Sequence, residues 1–311
     1  MKNKNVLVTG GSGFIASHLV KQLLSLGAKV TITTRYNSVI DNIRLEDVWD
    51  DINVIECDLR DPDSLQDIKK LKPEIIFHLA AYNHVGQSFT HVSEVFDVNA
   101  KGTANLMQAY EDYEKFVYMS TSEVYGHQTR VPFVETMTPN PISPYAITKY
   151  AGELFARMKQ RIGKPVVIVR CFNTFGPYQS VKAIIPEIIL KCLKGKPIDA
   201  TEGKQTREFN YVEDIVDGII KASKSDTTLA AINIGSGEDV SIKKLIKKIA
   251  RLTQSKSKLN FGALDYRPTE IWEMKADNTN AKAYLNWEPR HNLTEGLTKT
   301  ILWYVEKYGK N

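Results

Sequence analysis

The chain has 311 residues, of which 42% are hydrophobic and 25% are charged, and its formal net charge is +5. This composition is that of a folded globular protein and excludes a chain that is disordered throughout. The densest lysine cluster, which is Lys243, Lys244, Lys247 and Lys248, shares a predicted helix with an apolar face, so we interpret it as a solvated surface and expect no nucleic-acid partner.

The start of the chain and its cysteines favour a reducing, cytoplasmic location. The chain enters a strand at once, without the apolar segment of a signal peptide, and no apolar run approaches the ~20 residues that span a bilayer. The three cysteines, Cys57, Cys171 and Cys192, form no CxxC pair, so we interpret them as reduced thiols and expect no metal site. We therefore expect a cytoplasmic protein with no membrane partner.

Short β-branched strands alternate with amphipathic helices in the first half of the chain. The predicted strands are Asn5–Thr9, Lys29–Thr34, Val54–Cys57, Glu74–Leu79, Phe116–Ser120 and Val166–Arg170, and the predicted helices are Phe14–Leu26, Ser64–Leu71, Val92–Tyr110 and Pro144–Arg161. Such alternation predicts an α/β fold with a doubly wound parallel sheet of the Rossmann type, buried on both faces.

After about residue 175 the pattern becomes mainly helical. The predicted helices are Ile184–Leu193, Val212–Ala222, Ile242–Leu252 and Leu293–Tyr308, with an isolated strand at Ala231–Ile234. We therefore predict a dinucleotide-binding domain over residues 1–175 and a smaller substrate domain over residues 176–311. Because no flexible linker separates them, we expect the chain to cross between the two lobes more than once.

The loop after the first strand, Thr9–Ala16, has the sequence TGGSGFIA. Gly10 and Gly13 let the backbone turn sharply and approach a pyrophosphate closely, while Phe14 and Ile15 open a helix whose free N–H groups attract that anion. A glycine pattern alone is weak, but a preceding strand and a following helix are the context that supports a dinucleotide site.

Two positions bear on which dinucleotide binds. An acidic residue at the end of the second strand would bind the adenosine ribose of NAD, but this strand runs into Arg35, which suits a 2′-phosphate. We therefore predict NADP, with NAD as the alternative. Asp58, just after the third strand, is placed to bind the adenine edge, although it could equally cap a turn.

Tyr145 and Lys149 lie four residues apart in a predicted helix and so share a face. An ammonium beside a phenol should lower the pKa of the phenol from about 10. Tyr145 could then take the proton of a hydroxyl near neutral pH while hydride leaves the same carbon. Thr121 and Glu123 follow the strand that ends at Ser120, where ligands sit in this architecture.

In these segments the chain resembles the extended short-chain dehydrogenase/reductases that act on nucleotide-activated sugars. The resemblance spans essentially the whole chain and rests on Thr9–Ala16, Phe77–Ala81, Asp97–Thr103, the trio of Thr121, Tyr145 and Lys149, Arg170–Pro177, Thr206–Asp214 and Arg267-Pro268. It implies further cofactor contacts at Leu59, Leu79, Ala80, Ala81 and Asn99, and nucleotide-diphosphate contacts at Asn173, Arg207 and Arg267. It also implies a homodimer formed through the helices near 92–110 and 144–161.

Within that family the chain most resembles the 4,6-dehydratases. Sugar 4,6-dehydratases typically have Thr-Asp-Glu where this chain has Thr121-Ser122-Glu123, a triplet that resembles GDP-mannose-type and legionaminic-pathway dehydratases and also UDP-glucuronate decarboxylases. The dehydratase loop Ser-His-Val is similar to the segment containing His84. The missing aspartate leaves the general acid open between Glu123 alone and a relay through Ser122 or water. A nucleotide-sugar 4-epimerase, a UDP-glucuronate decarboxylase and a non-enzymatic cofactor sensor on the same fold remain alternatives.

Overall fold

The computed structural model describes residues 1–35, 43–266 and 270–309. Its strands in chain order are β1 (Asn5–Thr9), β2 (Lys29–Thr34), β3 (Asn53–Glu56), β4 (Ile75–His78), β5 (Lys115–Thr121), β6 (Val166–Cys171), β7 (Thr174–Phe175), β8 (Ile198–Ala200), β9 (Thr206–Glu208), β10 (Asn210–Tyr211), β11 (Ile232–Ile234), β12 (Asp239–Ser241) and β13 (Leu259–Phe261).

The α-helices in the same ranges are α1 (Phe14–Ser25), α2 (Gln66–Leu71), α3 (Val85–Ser88), α4 (Val92–Phe96), α5 (Gly102–Ala109), α6 (Pro144–Arg161), α7 (Ile184–Leu193), α8 (Val212–Lys224), α9 (Ile242–Leu252), α10 (Thr279–Leu285) and α11 (Leu293–Tyr308). Short 3₁₀ turns occur at Glu46–Asp51, Pro62–Leu65 and Ser122–Tyr125. No helix within the described ranges is long and apolar enough to cross a membrane.

The described strands form a seven-stranded parallel sheet in the order β11-β6-β5-β4-β1-β2-β3. Its strands are apolar and β-branched and have a helical layer on each face, as predicted for a Rossmann-type fold. α1 and α8 pack on one face, where Leu19 and Ile215 are fully buried, and α5 and α6 pack on the other, where Leu106 and Ala156 are fully buried. The sheet places the site because the strand order reverses beside β1, and in such sheets ligands bind at the carboxyl ends at that point.

The seventh strand, β11, comes from beyond residue 175 and pairs with β6, Ile232 lying beside Val169. The remaining strands form small pairs, β7 with β10, β8 with β13 and β9 with β12. The second half of the chain therefore contributes to the large sheet as well as covering its carboxyl edge. The division at residue 175 stays a prediction.

The helix predicted over Val92–Tyr110 is interrupted by a π-helical turn at Asp97–Lys101. The Asn99 side chain makes two bonds with the backbone of Tyr82, accepting from its N–H at 2.7 Å and donating to its carbonyl at 3.1 Å. The Thr103 hydroxyl donates to the Asn99 carbonyl at 2.6 Å. Contacts with a distant loop thus hold a turn that the apolar periodicity does not show.

Candidate active site

A cavity of about 260 Å³ opens at the carboxyl ends of β1, β4, β5 and β6. Its described lining is Gly10, Gly13, Phe14, Ile15, Ala16, Leu79, Ala81, Asn83, Val85, Met119, Ser120, Thr121, Ser122, Glu123, Tyr145, Lys149, Cys171, Phe172, Asn173 and Thr174. The loop Thr9–Ala16, called the phosphate loop below, therefore meets the four predicted catalytic side chains in one place, although more than a hundred residues of sequence separate the loop from them.

The phosphate loop needs its glycines for two reasons. Gly10 has a φ of +67°, and a Cβ atom there would lie 2.8 Å from the Ala80 Cα. Gly11, which the sequence analysis did not assign, would place a Cβ 2.4 Å from Ile32 of β2. α1 begins after Gly13 and has no side-chain cap and no acidic residue in its first turn within this described segment, so its N–H groups are available to an anion.

Buried polar contacts fix the wall of the cavity beside the loop, at the ends of β1 and β4. The Thr9 hydroxyl lies 2.7 Å from His78 Nδ1, and His78 Nε2 lies 2.9 Å from the Thr103 hydroxyl. Burial lowers the pKa of His78 to about 3, so the imidazole is neutral. Ala80 donates its backbone N–H to Thr9 at 3.2 Å. Asn99 is buried and bonded to Tyr82 and Thr148, which places it behind the lining as a support for this wall.

The residues predicted to bind the adenosine end lie at the ends of β2 and β3, outside the described cavity lining. Arg35 is largely exposed, and its guanidinium lies 3.7 Å from the Glu94 carboxylate. Arg60 makes a bidentate pair with Asp58, with its shortest contact at 2.5 Å, and this pair lowers the pKa of Asp58. Leu59 is buried beside them.

α6 presents Tyr145 and Lys149 on one face. The helix starts cleanly because the Ser143 hydroxyl accepts the Ala146 N–H at 3.1 Å and Pro144 occupies the first helical position. The Lys149 ammonium lies 4.6 Å from the centre of the Tyr118 ring, a cation–π contact. Burial lowers the pKa of Lys149 to about 8, partly offset by the charge of Glu153 and by Cys171.

The pKa of Tyr145 is raised to about 12, mainly by burial. A hydrogen bond with Thr121 lowers this pKa, and the nearby Glu123 carboxylate raises it. For the protein by itself the predicted lowering of the Tyr145 pKa is therefore wrong, because desolvation of the phenolate is the largest influence on that pKa.

In the turn after β5, the side chains of Ser122 and Glu123 have different surroundings. Thr121 caps this turn by accepting the Glu123 N–H at 3.2 Å, and Glu123 lines the cavity. Ser122 is buried, and its hydroxyl donates to the Met274 sulfur at 3.3 Å. This contact directs the Ser122 hydroxyl at Met274, which argues against the proton relay through Ser122 considered from the sequence.

One helical turn after Lys149 lies a buried ion pair that was not predicted from the sequence. Glu153 of α6 accepts from Arg170 at 2.7 and 3.1 Å, and both side chains are fully buried. The same carboxylate accepts from Arg157 at 2.7 Å and from the Ser120 hydroxyl at 2.7 Å. It therefore joins α6, one turn after Lys149, to the ends of β5 and β6. No local pattern marks this pair, because Glu153 and Arg170 are 17 residues apart in the sequence.

The residues expected to bind the sugar nucleotide are only partly brought together. Asn173 lines the cavity, and its side-chain N–H donates to the Glu208 carbonyl at 3.2 Å. Arg207 pairs with Glu270 at 2.6 Å, away from the described lining. His84 Nδ1 accepts the Gln87 N–H at 3.1 Å and caps α3, which is a structural role.

Arg267 lies outside the described residues. Cys171, Phe172 and Thr174 of the lining were quoted in the motif that follows β6 but were not assigned to the site. Their position at the carboxyl end of a predicted sheet strand was the signal that could have found them.

Comparison with known proteins shows the family. Residues 7–300 match the family described as GDP-mannose 4,6 dehydratase. The chain belongs to this family. It is thus a member of the extended short-chain dehydrogenase/reductases, the NAD-dependent epimerases and dehydratases.

Its relatives differ in the reaction that their names give. A UDP-N-acetyl-alpha-D-glucosaminuronate decarboxylase of Bacillus cytotoxicus is 33% identical over 97% of this chain and 98% of its own length. The dTDP-glucose 4,6-dehydratase DesIV of Streptomyces venezuelae, solved with NAD bound, is 29% identical with a TM-score of 0.89 over 98% of each chain. The UDP-glucose 4-epimerase of Thermotoga maritima, solved with UDP-glucose, is 28% identical with a TM-score of 0.91 over 97% of this chain and 99% of its own.

Proposed function

We propose that the protein is a nucleotide-sugar 4,6-dehydratase that works through a 4-keto intermediate with a recycled nicotinamide cofactor. The observation that carries this proposal is Glu123, a carboxylate that shares one cavity with Thr121, Tyr145, Lys149 and the phosphate loop. Oxidation at C4 needs only a tyrosine and a lysine beside the cofactor. Removal of water across C5 and C6 needs in addition an acid–base group, which Glu123 supplies.

A nicotinamide held by the loop after β1 would supply a hydride acceptor for C4 and, once reduced, a hydride donor for C6. As the phenolate, which the positive charges of Lys149 and of an oxidised nicotinamide would favour, Tyr145 takes the proton of the 4-hydroxyl, and Thr121 donates a hydrogen bond to the carbonyl oxygen that forms. The 4-ketone acidifies the C5 hydrogen, which Glu123 abstracts as a proton and delivers to the departing C6 hydroxyl. The proton taken by Tyr145 balances the reprotonation of C5 through solvent, so the net change is loss of one water.

Glu123 performs both proton transfers in this scheme, because Ser122 is bonded to Met274. One carboxyl group is sufficient when the proton removed from C5 is the proton given to the leaving hydroxyl. The general acid left open by the sequence is therefore proposed to be Glu123 itself.

The choice of dinucleotide depends on Arg35. Its exposed guanidinium is paired with Glu94 only at 3.7 Å, so a 2′-phosphate could replace that carboxylate, and we propose NADP with NAD as the alternative. NAD is the cofactor named for the Streptomyces venezuelae structure. Competition between NADPH and NADH for the site decides between them.

Asn173 and Arg207, with Arg267, are proposed to hold the diphosphate of the substrate. Arginine suits phosphate oxygens because its planar guanidinium offers several donors. Arg207 is held beside Glu270 at 2.6 Å, so binding of a diphosphate by Arg207 would compete with that pair.

A 4-epimerase remains the second candidate, supported by the fold similarity to the Thermotoga maritima enzyme. Decarboxylation of a glucuronate passes through the same 4-ketone but needs a cation for the substrate carboxylate, and among the described residues that line the cavity only Lys149 carries a positive charge. A cofactor sensor would not require Tyr145 and Lys149 to share a cavity with the cofactor loop. We therefore place the dehydratase first.

A homodimer, a two-lobed division near residue 175 and a cytoplasmic location complete the proposal. α4 packs beside α6, and apolar side chains remain exposed on both, namely Val92, Phe96, Ile147, Leu154 and Met158. Exposed apolar side chains on two neighbouring helices favour association with a second copy.

Mass spectrometry of products tests the function. The protein is incubated with GDP-, UDP-, dTDP- and CDP-sugars, with NADP and NAD in separate reactions. Loss of one water from one substrate is the expected result and also identifies the base. Loss of carbon dioxide from a glucuronate, or an epimer of unchanged mass detected by proton NMR, would replace the dehydratase by one of its two rivals.

A further inference from the structure

Arg44 links the glycine loop after β1 to the segment that contains Tyr178. Its Nε donates to the Tyr178 carbonyl at 2.9 Å, and its Nη1 donates to the Ser12 carbonyl at 3.1 Å. The guanidinium is partly buried, which lowers its pKa, but arginine remains charged throughout the physiological range. Both bonds are therefore charge-assisted and directed at main-chain atoms whose positions are set by their loops.

One end of this link is the phosphate loop. Ser12 lies between the two tightly packed glycines Gly11 and Gly13, and Gly13 donates its N–H to the Gly10 carbonyl at 2.9 Å. Because a Cβ on Gly10 or Gly11 would clash with Ala80 or Ile32, the loop has little room to move. Holding the Ser12 carbonyl adds a further restraint on the side of the loop that faces the second half of the chain.

The other end is a strained residue held by its ring. Tyr178 has a φ of +66°, which costs a non-glycine residue of the order of 1 kcal/mol. Its ring packs 4.7 Å from the Trp303 ring of α11, and the Lys21 ammonium of α1 lies 4.8 Å from its centre. Contacts from α1 and α11 therefore maintain the conformation that presents the Tyr178 carbonyl to Arg44.

The same segment reaches the sugar side of the cavity. Gln179 donates its side-chain N–H to the carbonyl of Thr174, a lining residue, at 2.9 Å, and its own carbonyl accepts the Tyr304 hydroxyl of α11 at 2.8 Å. A continuous chain of contacts thus runs from the phosphate loop through Arg44 to the wall that contains Asn173 and Thr174.

We propose that Arg44 and residues 178–179 form a strap that retains the dinucleotide between catalytic cycles by holding the phosphate loop against the second half of the chain. Retention suits the proposed reaction because a cofactor that returns its hydride to the same sugar is unchanged overall and need not be exchanged between cycles. Arg44 is a positioning residue in this proposal, which rests on the proposed use of a recycled nicotinamide cofactor. The strap acts on release of the dinucleotide and not on the chemistry of the sugar.

The test measures release of bound NADH and NADPH without any sugar, from the decay of bound-nucleotide fluorescence after addition of excess NAD or NADP. Arg44→Met keeps the aliphatic stem and removes both bonds, and we expect about tenfold faster release. Tyr304→Phe removes only the bond to Gln179, and we expect about threefold faster release. Arg290→Met, which removes a surface pair with Asp217, is the matched control and should leave release unchanged.

The double variant with Arg44→Met and Tyr304→Phe tests whether the contacts of Arg44 and Tyr304 affect nucleotide release as parts of one connected strap. We expect Tyr304→Phe to have no further effect on release when Arg44 is already Met, because the link is then broken. Unchanged release in Arg44→Met, or an equal effect of Tyr304→Phe in both backgrounds, would overturn the strap. If neither nucleotide bound the wild-type protein, both the strap and the cofactor assignment would fail. Binding without turnover of any sugar would contradict only the proposed reaction, since release needs no sugar.

Discussion

Burial moves the pKa values of the two central side chains in opposite directions. The Tyr145 phenol is raised to about 12 and the Lys149 ammonium is lowered to about 8, because each loses hydration of its charged form. At neutral pH the protein alone therefore contains a protonated tyrosine and a charged lysine whose burial is unfavourable. That arrangement destabilises the fold and is expected where a site is built for chemistry.

Replacement of Lys149 by Met should stabilise the protein at pH 7. The folded pKa of about 8 lies below the unfolded 10.5, so the cost of burying the charge is fully present below pH 8, about 3 kcal/mol in the free energy of unfolding. It disappears as pH rises from about 8 to 10.5, where only the unfolded chain binds the proton. Urea denaturation at pH 7 and pH 10.5 measures this, and a stability gain that grew with pH would contradict the assignment.

Replacement of Glu123 by Gln should stop water loss while leaving C4 oxidation possible. The amide cannot take the C5 proton, so we expect product formation to fall by at least about a hundredfold and reduced nicotinamide to accumulate at 340 nm. Ser122→Ala, which removes a hydroxyl bonded to Met274, is the matched control and should keep most of the turnover. Full product formation by Glu123→Gln would remove Glu123 from the mechanism.

At the scale of elements, α6 connects the proposed catalytic residues to the sheet. Its amino-terminal half carries Tyr145 and Lys149, and the next turn carries Glu153, whose carboxylate is bonded to Ser120 and Arg170 at the ends of two strands. The catalytic face of the helix is thus fixed relative to the strand end from which Thr121 projects.

Glu153→Gln should destabilise the fold strongly. It leaves the fully buried Arg170 without a compensating charge, which costs about 3–5 kcal/mol. Glu187→Gln, which breaks the exposed pair with Lys191 on α7, is the matched control and should cost less than about 1 kcal/mol. Chemical denaturation of both variants gives the comparison, and equal losses would show that the buried pair contributes no more than a surface pair.

The elements that sequence predicts well are those whose pattern is local. β1, β2 and α6 were predicted with their observed limits because β-branched runs and the Ser143-Pro144 cap are signals within a few residues. The π-turn at Asp97–Lys101 was missed because its cause is the bonding of Asn99 to Tyr82. The Glu153–Arg170 pair was missed for the same reason, since partners distant in sequence leave no periodic trace.

At the scale of the whole molecule, the second half of the chain adds a strand to the large sheet and contacts to the residues around the cavity. β11 extends the large sheet beside β6, Met274 engages the hydroxyl of Ser122, and α11 contacts the segment that Arg44 binds. Motif spacing predicted that the glycine loop and the four candidate catalytic side chains meet in one cavity, but it did not place Arg207 beside Glu270 or Ser122 beside Met274. Those placements depend on how the two halves pack, which no single segment encodes.

Leu154→Glu should separate the proposed dimer. Leu154 is 48% exposed on α6, and a carboxylate there would be buried against a second copy without a partner charge. Leu302→Glu on α11, where Leu302 is 63% exposed, is the matched control and should leave the mass unchanged. Light scattering coupled to size-exclusion chromatography measures both, and a wild-type monomer would contradict the interface.

In the proposed reaction, hydride leaves C4 and returns to C6 of the same sugar, and Glu123 removes the C5 proton between the two transfers. The most direct test uses the accepted nucleotide sugar labelled with deuterium at C4 and locates the label in the product by NMR. We expect deuterium at C6 of a 4-keto-6-deoxy sugar, transferred from C4 of the same molecule. Deuterium that remained at C4 would contradict it, and would identify the reaction as epimerisation or decarboxylation.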